Sequence, residues 1–279
     1  MRFGHALIGL VAACLAGLAG PAFAQSQTEE PPPSQCLAIA SALPNVIYAS
    51  AAASENPLMV PDAVTITFKG HSTYLIETPA GVTIATDFSG IYGANPPPRV
   101  ITMNRAHSSH YTLSPDERID VVLPGWNPDA PEPAEHHVVV DDVYIRNVTT
   151  DIRSWDTGGM IPDANSIFIF EVAGLCIGHL GHLHHKLSAE HLALIGRLDV
   201  VFAPVDGSMT LDLPSMIEVL KDLRASLVIP MHYFGRDSLN IFLAGMADEF
   251  DIKAASGATI EVSLRSLPQQ PTVMVLAGG

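Results

Sequence analysis

The sequence predicts a layered α/β domain, and three observations carry that prediction. Short runs with period-two alternation follow one another from Val64 onward, separated by turns rich in glycine and proline. Beyond residue 187 the pattern changes to alternating helix and strand. No internal repeat and no compositional break divides the two regions, so strands first and mixed β/α afterwards fit one domain.

Each element has its own signal. Val64-Thr65-Ile66-Thr67-Phe68-Lys69 alternates, Gly70 breaks it, and Thr73 to Glu77 reads as a second strand. Pro79-Ala80-Gly81 turns the chain into a third, from Val82 to Thr86. Val100 to Met103, Ile119 to Leu123 and Val138 to Val148 read as further strands. Ile167 to Val172 and Leu175-Cys176-Ile177 suggest a hairpin across Ala173-Gly174. Ser188 caps a helix that runs to Ile195 and stops at Gly196. Asp199 to Ala203 is a buried strand. Asp212 caps a helix with Pro214 in its first turn and Met216, Ile217, Leu220 and Leu223 on one face. Ala225 to Pro230 is another buried strand, Leu239 to Phe250 a helix, and two short strands close the chain.

With 279 residues, 48% of them hydrophobic, the chain can bury a large core. Its net charge is -15, from 29 acidic against 14 basic side chains, and no four basic residues stand together. Such a chain lacks the clustered cations that neutralise a phosphate backbone, so nucleic acid is not an expected partner. A small anionic substrate remains open.

Residues 1–24 read as a secretory leader: Arg2, an apolar stretch from Ala6 to Leu18, then Ala22-Phe23-Ala24 before Gln25. A membrane anchor is the rival reading, but glycines at 9, 17 and 20 and Pro21 interrupt the apolar run. A lipoprotein signal ending at Cys14 is a second. Cleavage after Ala24 would place the chain in the periplasm or outside the cell, without a stable membrane anchor. Residues 25–60, with Pro31-Pro32-Pro33, read as a linker and docked segment, and 61–279 as the domain. An oxidising compartment permits a bond between Cys36 and Cys176, although Cys176 also reads as a small core residue; the pairing is left open.

Eleven of the 12 histidines follow residue 24, and three groups fall directly after strands. His107 and His110 follow one, His179, His182, His184 and His185 the next, and His232 a third. Loops beyond the strand ends of α/β sheets converge on ligands, and neutral imidazole is the commonest metal ligand. His136-His137 reads instead as a solvated pair, His191 as an ordinary helical side chain, and His179 as a satisfied core residue. His184 and His185 are either exposed or contribute one functional ring.

The chain resembles the metallo-β-lactamase superfamily, in particular the branch related to ascorbate-phosphate lactonase. The resemblance rests on Gly70-His71-Ser72-Thr73-Tyr74-Leu75-Ile76-Glu77-Thr78, Thr86-Asp87, His179-Leu180-Gly181, Asp199 to Pro204 and Ile229-Pro230-Met231-His232-Tyr233. It implies an αββα sandwich with a metal site along one edge of two sheets, most often binuclear zinc, and hydrolysis. The ligand motif is degenerate. Where the family has His-x-His-x-Asp-His, this chain has Arg105-Ala106-His107-Ser108-Ser109-His110. The family's histidine after the strand ending near Val148 is missing, with Asp151 the nearest substitute, and its bridging aspartate is His182.

These departures imply one ion, zinc or another transition metal, held by His110, His182 and His232, with His107 as fourth ligand or neighbour. Arg105 would clamp an anionic group of the substrate. Asp87 would orient a ligand histidine, His71 and His185 would line the pocket, and Asp206 would be general base or a loop cap. The expected activity is attack by metal-bound hydroxide on an ester, lactone or phosphodiester of an anionic small molecule. The alternative is a non-catalytic metal- or ligand-binding member of the same fold.

Overall fold

A computed structural model describes residues 1, 32–37, 62–93 and 95–278. The leader expected over 1–24 lies outside the described residues apart from Met1. Of two compact units, Met1–Glu30 and Pro31–Gly279, the second contains every element below.

The first five strands are β1 (Val64–Gly70), β2 (Thr73–Glu77), β3 (Thr83–Ala85), β4 (Val100–Met103) and β5 (Val121–Pro124). Then come β6 (His137–Val140), β7 (Val143–Arg153), β8 (Met160–Val172) and β9 (Leu175–His179). Helix α1 (Ala189–Ile195), β10 (Val200–Pro204), α2 (Leu213–Leu223), β11 (Leu227–Met231) and α3 (Arg236–Met246) alternate after them. The chain ends in β12 (Asp251–Ala254), β13 (Thr259–Val262) and β14 (Thr272–Val275).

The strands form two sheets. Six run in the order β13-β1-β2-β3-β4-β5, and eight in the order β12-β14-β11-β10-β9-β8-β7-β6. Between them lies an apolar layer in which Ile66, Tyr74, Ile76 and Ile84 meet Ile145, Phe168, Phe170, Phe202 and Ile229. The opposite face of the larger sheet presents Ile167, Ile169, Val201 and Val228 to the helices. There Met216, Val219, Leu220 and Leu223 form one buried stripe of α2, each contributing about 1.5–3 kcal/mol on burial. The outer face of the smaller sheet packs Ile101 and Met103 against loop residues Phe88, Ile119, Tyr111 and Trp126. This is the two-sheet α/β sandwich that the sequence led one to expect, with the helices on the outer face of the larger sheet.

Local signals held where side chains cap or break elements. Ser188 caps α1 within a capping box completed by the His191 side chain, and Asp212 caps α2 through Ser215 N. His191 therefore does more than an ordinary helical side chain. The segment read as one strand from 138 to 148 is a hairpin, because Asp141 takes a positive φ and turns β6 into β7. The third helix starts and ends earlier than expected, and 251–254, beyond it, pair with β14, so that three short strands rather than two close the chain.

Cys36 and Cys176 are joined by a disulfide, so Cys176 is both a core residue and a covalent anchor. Beside it, Glu171 accepts the backbone N–H of Gln35 at 2.8 Å and pairs with buried Arg146 at 2.8 Å. Arg146 also donates to the carbonyls of Leu194 and Ile195, which α1 leaves unpaired at its C-terminus. One buried ion pair thus holds the 32–37 segment and α1 to the sheet.

Candidate metal centre

Strands β3 and β4 run parallel, as do β9, β10 and β11, so their C-terminal ends lie along one edge of each sheet. The turns leaving those ends carry Asp87, His107, His110, His182, Asp206 and His232. His71 enters from the β1–β2 turn. Three of these residues hold left-handed backbones, with φ of 55° at His71, 43° at Asp87 and 53° at His232. Such strain costs about 1–2 kcal/mol per residue and persists where surrounding structure over-determines it.

Two histidines are aimed from behind by carboxylates. Fully buried Asp87 places Oδ2 2.7 Å from His110 Nδ1, while its Oδ1 accepts from Asn104 Nδ2 at 2.8 Å. Asp206 Oδ1 lies 3.0 Å from His232 Nδ1. Each carboxylate accepts a hydrogen bond from Nδ1–H, and the tautomer this selects carries its lone pair on Nε2. Those two Nε2 atoms face each other at 3.1 Å, and His71 Nε2 lies 3.3 Å from His110 Nε2.

Lone pairs held this close call for a cation between them. Two nitrogens each about 2.0–2.1 Å from a tetrahedral zinc ion stand about 3.3 Å apart. His71, His107, His110 and His232 each offer one nitrogen, all within 4.8 Å of one another. Among the described residues, Nε2 of His107 is buried without a hydrogen-bond partner. Its Nδ1 lies 2.8 Å from Ser109 Oγ, which is 3.1 Å from His71 Nε2. The residues present therefore fit a transition ion bound through nitrogen.

Burial, reinforced by the neighbouring rings of His232 and His110, lowers His71 to a pKa of about 3. Burial, with His110 and His232 beside it, lowers His107 to about 4. Both rings stay neutral and able to donate lone pairs at physiological pH. Burial alone would raise the carboxyls of Asp87 and Asp206. Around Asp87 the neighbouring rings of His110 and His179 and the hydrogen bonds from His110 and Asn104 more than reverse that; around Asp206 the bonds from His232 and Thr210 do so. Both are held below the usual carboxylate range.

His182 packs against the same cluster. Its ring centroid lies 5.0, 4.9 and 4.8 Å from those of His107, His110 and His232. Its Nε2 is buried and has no partner among the described residues, while Nδ1 lies 2.6 Å from His184 Nε2. Tyr92 stacks near His71 at 5.8 Å, and exposed Phe234 lies 5.5 and 5.3 Å from His71 and His232. Aromatic groups thus flank the cluster.

Several roles expected from the sequence are redistributed. Asp206 accepts from His232, from the backbones of Ser208, Met209 and Thr210, and from the Thr210 hydroxyl. A carboxylate so saturated orients His232 and shapes its loop, and has no lone pair left for general-base work. His185 does not line the site: it accepts Asp151 N and donates to Lys186 O, and His184 is the ring that touches His182. The Asp151 carboxylate accepts Asp163 N and replaces no ligand. Arg105 has an exposed residue surface and a backbone N–H bonded to Ala164 O. His179 is fully satisfied by Ser72 O and Gly181 N, and His136 is half-buried against Pro124 O rather than solvated. His71 proves to be a member of the nitrogen cluster, beyond lining it. Of the pair His184 and His185, His184 is the ring that joins the site; Ser72, Asn104 and Ser109 carried no separate signal, since a polar residue beside a ligand is recognisable only once the ligand is placed.

Comparison with known proteins bears on the family and the fold. The sequence model described as the beta-lactamase superfamily domain matches residues 65–232, more than half of the chain. A Thermotoga maritima protein assigned as a Zn-dependent hydrolase of the metallo-beta-lactamase superfamily is 27% identical, with a TM-score of 0.53 over 76% of this chain and 98% of that one. A protein from Parabacteroides distasonis assigned as a metal-dependent hydrolase is 14% identical, with a TM-score of 0.53 over 66% and 89%. The metallo-beta-lactamase fold protein YhfI from Bacillus subtilis is 10% identical, with a TM-score of 0.50 over 78% and 98%. The last two are likenesses of fold alone. A search of curated proteins returns no match.

Proposed function

Because the chain belongs to the beta-lactamase superfamily, we propose that it is an exported metal-dependent hydrolase of an ester, lactone or phosphodiester of an anionic small molecule. The observation that carries this reading is the pair His110 and His232. Each is oriented by a carboxylate so that their Nε2 lone pairs meet at 3.1 Å.

His107, His110 and His232 would hold one ion, zinc in the first instance, with His71 as the fourth nitrogen. When bound, the ion would supply Lewis acidity and activate water as a nucleophile. The chain's own residues do the rest. Asp87 and Asp206 keep two rings in the ligating tautomer, as carboxylate partners of metal-bound histidines do elsewhere. Tyr92 and Phe234 offer apolar contact to the body of a substrate. Arg105, exposed beside the loop that carries His107, supports an anionic substrate through its permanent charge.

Export is supported by the leader pattern over 1–24 and by the Cys36–Cys176 bond, since disulfides persist in oxidising compartments. The test is metal analysis of the purified chain together with a panel of lactones, esters and phosphodiesters, assayed with and without chelator. About one equivalent of metal, and turnover lost on chelation and in His110→Ala and His232→Ala, is the expected result. Turnover that survives chelation refutes the mechanism. Tight metal without turnover on any substrate selects the non-catalytic alternative.

A further inference from the structure

Arginine carries hydrogen-bond donors and no acceptor. Arg153 directs two of them, its backbone N–H and its Nε–H, at Nδ1 of His184, each at 3.1 Å. The arginine is itself anchored, donating from Nη2 to the carbonyls of Ser208, Met209 and Thr210. An imidazole nitrogen that receives two donors holds a lone pair, so the proton of His184 sits on Nε2. That Nε2 is 2.6 Å from Nδ1 of His182. His182 Nδ1 must therefore accept, and the proton of His182 sits on its own Nε2.

This polarity is opposite to that of His110 and His232, whose Nδ1 protons go to carboxylates. The cluster thus holds two kinds of imidazole. His110 and His232 present lone pairs suited to a cation. His182 presents an N–H instead: the residue is 1% exposed, its Nε2 has no hydrogen-bond partner among the described residues, and its ring lies within 5.0 Å, centroid to centroid, of those of His107, His110 and His232. A nitrogen that bears hydrogen cannot ligate a metal, and its complement is an oxygen carrying negative charge.

We propose that His182 is a hydrogen-bond donor to an anionic oxygen of the substrate, a phosphoryl or carboxyl oxygen or the oxyanion that develops on attack, and that Arg153 and His184 are its positioning residues. The proposal rests on reading the cluster as a metal-dependent hydrolytic site. It replaces the ligand role that the sequence suggested for His182. At the position where the superfamily resemblance expects an acidic ligand, this chain supplies a donor, a group suited to stabilising developing charge.

Two-bond proton–nitrogen correlation spectra of histidine-labelled protein decide the matter, recorded metal-free and after loading with zinc alone. His182 is expected to show a protonated Nε2 and a bare Nδ1 in both states, with the reverse pattern at His110 and His232 and zinc-dependent shifts at their Nε2. A proton on His182 Nδ1, or a zinc-dependent shift of its Nε2 like that of a ligand, overturns the proposal. In variants, His184→Gln still donates to His182 and keeps its pattern, whereas His184→Glu accepts and reverses it; one unchanged pattern in both overturns the positioning role. His182→Leu is expected to keep zinc stoichiometry and to weaken binding of inorganic phosphate about tenfold or more, the scale of a hydrogen bond to a charged group. Loss of zinc in that variant contradicts the proposal. Failure of the wild-type chain to take up zinc would overturn the metal-dependent reading alone, because the metal-free spectrum still locates the His182 proton.

Discussion

The backbone carbonyl of His71 accepts the N–H of His232 at 2.9 Å, and both residues hold left-handed backbones. This bond fastens the first turn of the smaller sheet to the end of β11 in the larger one, at the point where both rings enter the cluster. Backbone and ring can be separated by substitution. Glycine adopts a φ of 55° without steric penalty, so His71→Gly should keep the bond and lose only the imidazole. Its metal-free stability is expected within about 1 kcal/mol of the original, with weaker zinc binding. His71→Val places a β-branched residue there and should lose both, with a stability cost of about 1–3 kcal/mol. Thermal unfolding of chelated variants, followed by zinc titration, separates the two; equal destabilisation by both would mean that ring packing dominates.

Asp87 uses both carboxylate oxygens, one for His110 and one for Asn104. Asp87→Asn keeps the shape and leaves a single acceptor for two donors. Zinc affinity should fall by about 10–100-fold, measured against a chromophoric chelator. Asp206→Asn should act the same way through His232, and the acidic limb of the pH–rate profile should stay in place, because Asp206 orients and does not take a proton from water. A displaced limb would return the general-base role to it.

How much of this was legible in the sequence depends on the range of the interaction. Alternation, caps and turn residues act over a few positions, so strands from Val64 and helix starts at Ser188 and Asp212 could be read directly. The strand over 251–254 could not, because those residues extend only by pairing with the distant β14. Strand-end histidines marked the site, since loops at parallel strand ends must converge. Their individual roles were not readable. Whether an imidazole ligates or donates depends on what lies behind it, and Asp87, Asp206 and Arg153 reach their rings from other segments.

Acid should destabilise the chelated protein before its carboxylates titrate. Burial lowers His184, beside Arg153, to about 4, as it does His107, and His71 lies near 3, against an ordinary value of 6.5. Between 6.5 and 4 the unfolded chain binds protons that the folded chain refuses, so stability falls as pH falls through that window. Asp87 and Asp206, held low in the fold, contribute stability that is present above their ordinary value of 3.8 and is lost below it. Denaturant midpoints measured across this range check the order; a flat profile from 6.5 to 4 would contradict buried neutral rings.

The disulfide joins cysteines 140 residues apart. Closing a loop of that length restricts the unfolded chain, and removal of such a bond typically costs about 2–5 kcal/mol. Cys36→Ser is expected to lower the melting temperature by several degrees, with zinc stoichiometry unchanged, because Cys176 packs on the helical face of the larger sheet, away from the histidines. Reductant should lower the melting temperature of the original chain and leave that of the variant where it is. Equal sensitivity in both would show that the bond contributes little.

Gly181 precedes His182 with a φ of +60°, and a Cβ there would meet Asn165 Oδ1 at 2.3 Å, Asn104 Nδ2 at 2.4 Å and Ser166 O at 3.0 Å. The two amides cannot simply yield. Asn165 Oδ1 accepts the His182 backbone N–H at 2.7 Å, and Asn104 donates to Asp87, which holds His110. Gly181→Ala therefore combines left-handed strain with overpacking, about 2–4 kcal/mol together. Its displacement is directed at both the donor ring and a ligand ring. Zinc affinity should fall along with stability, unlike in a core variant such as Val219→Ala on α2, where stability alone should fall. If Gly181→Ala melts early yet binds zinc as tightly as the original chain, the amide network does not hold the cluster in register.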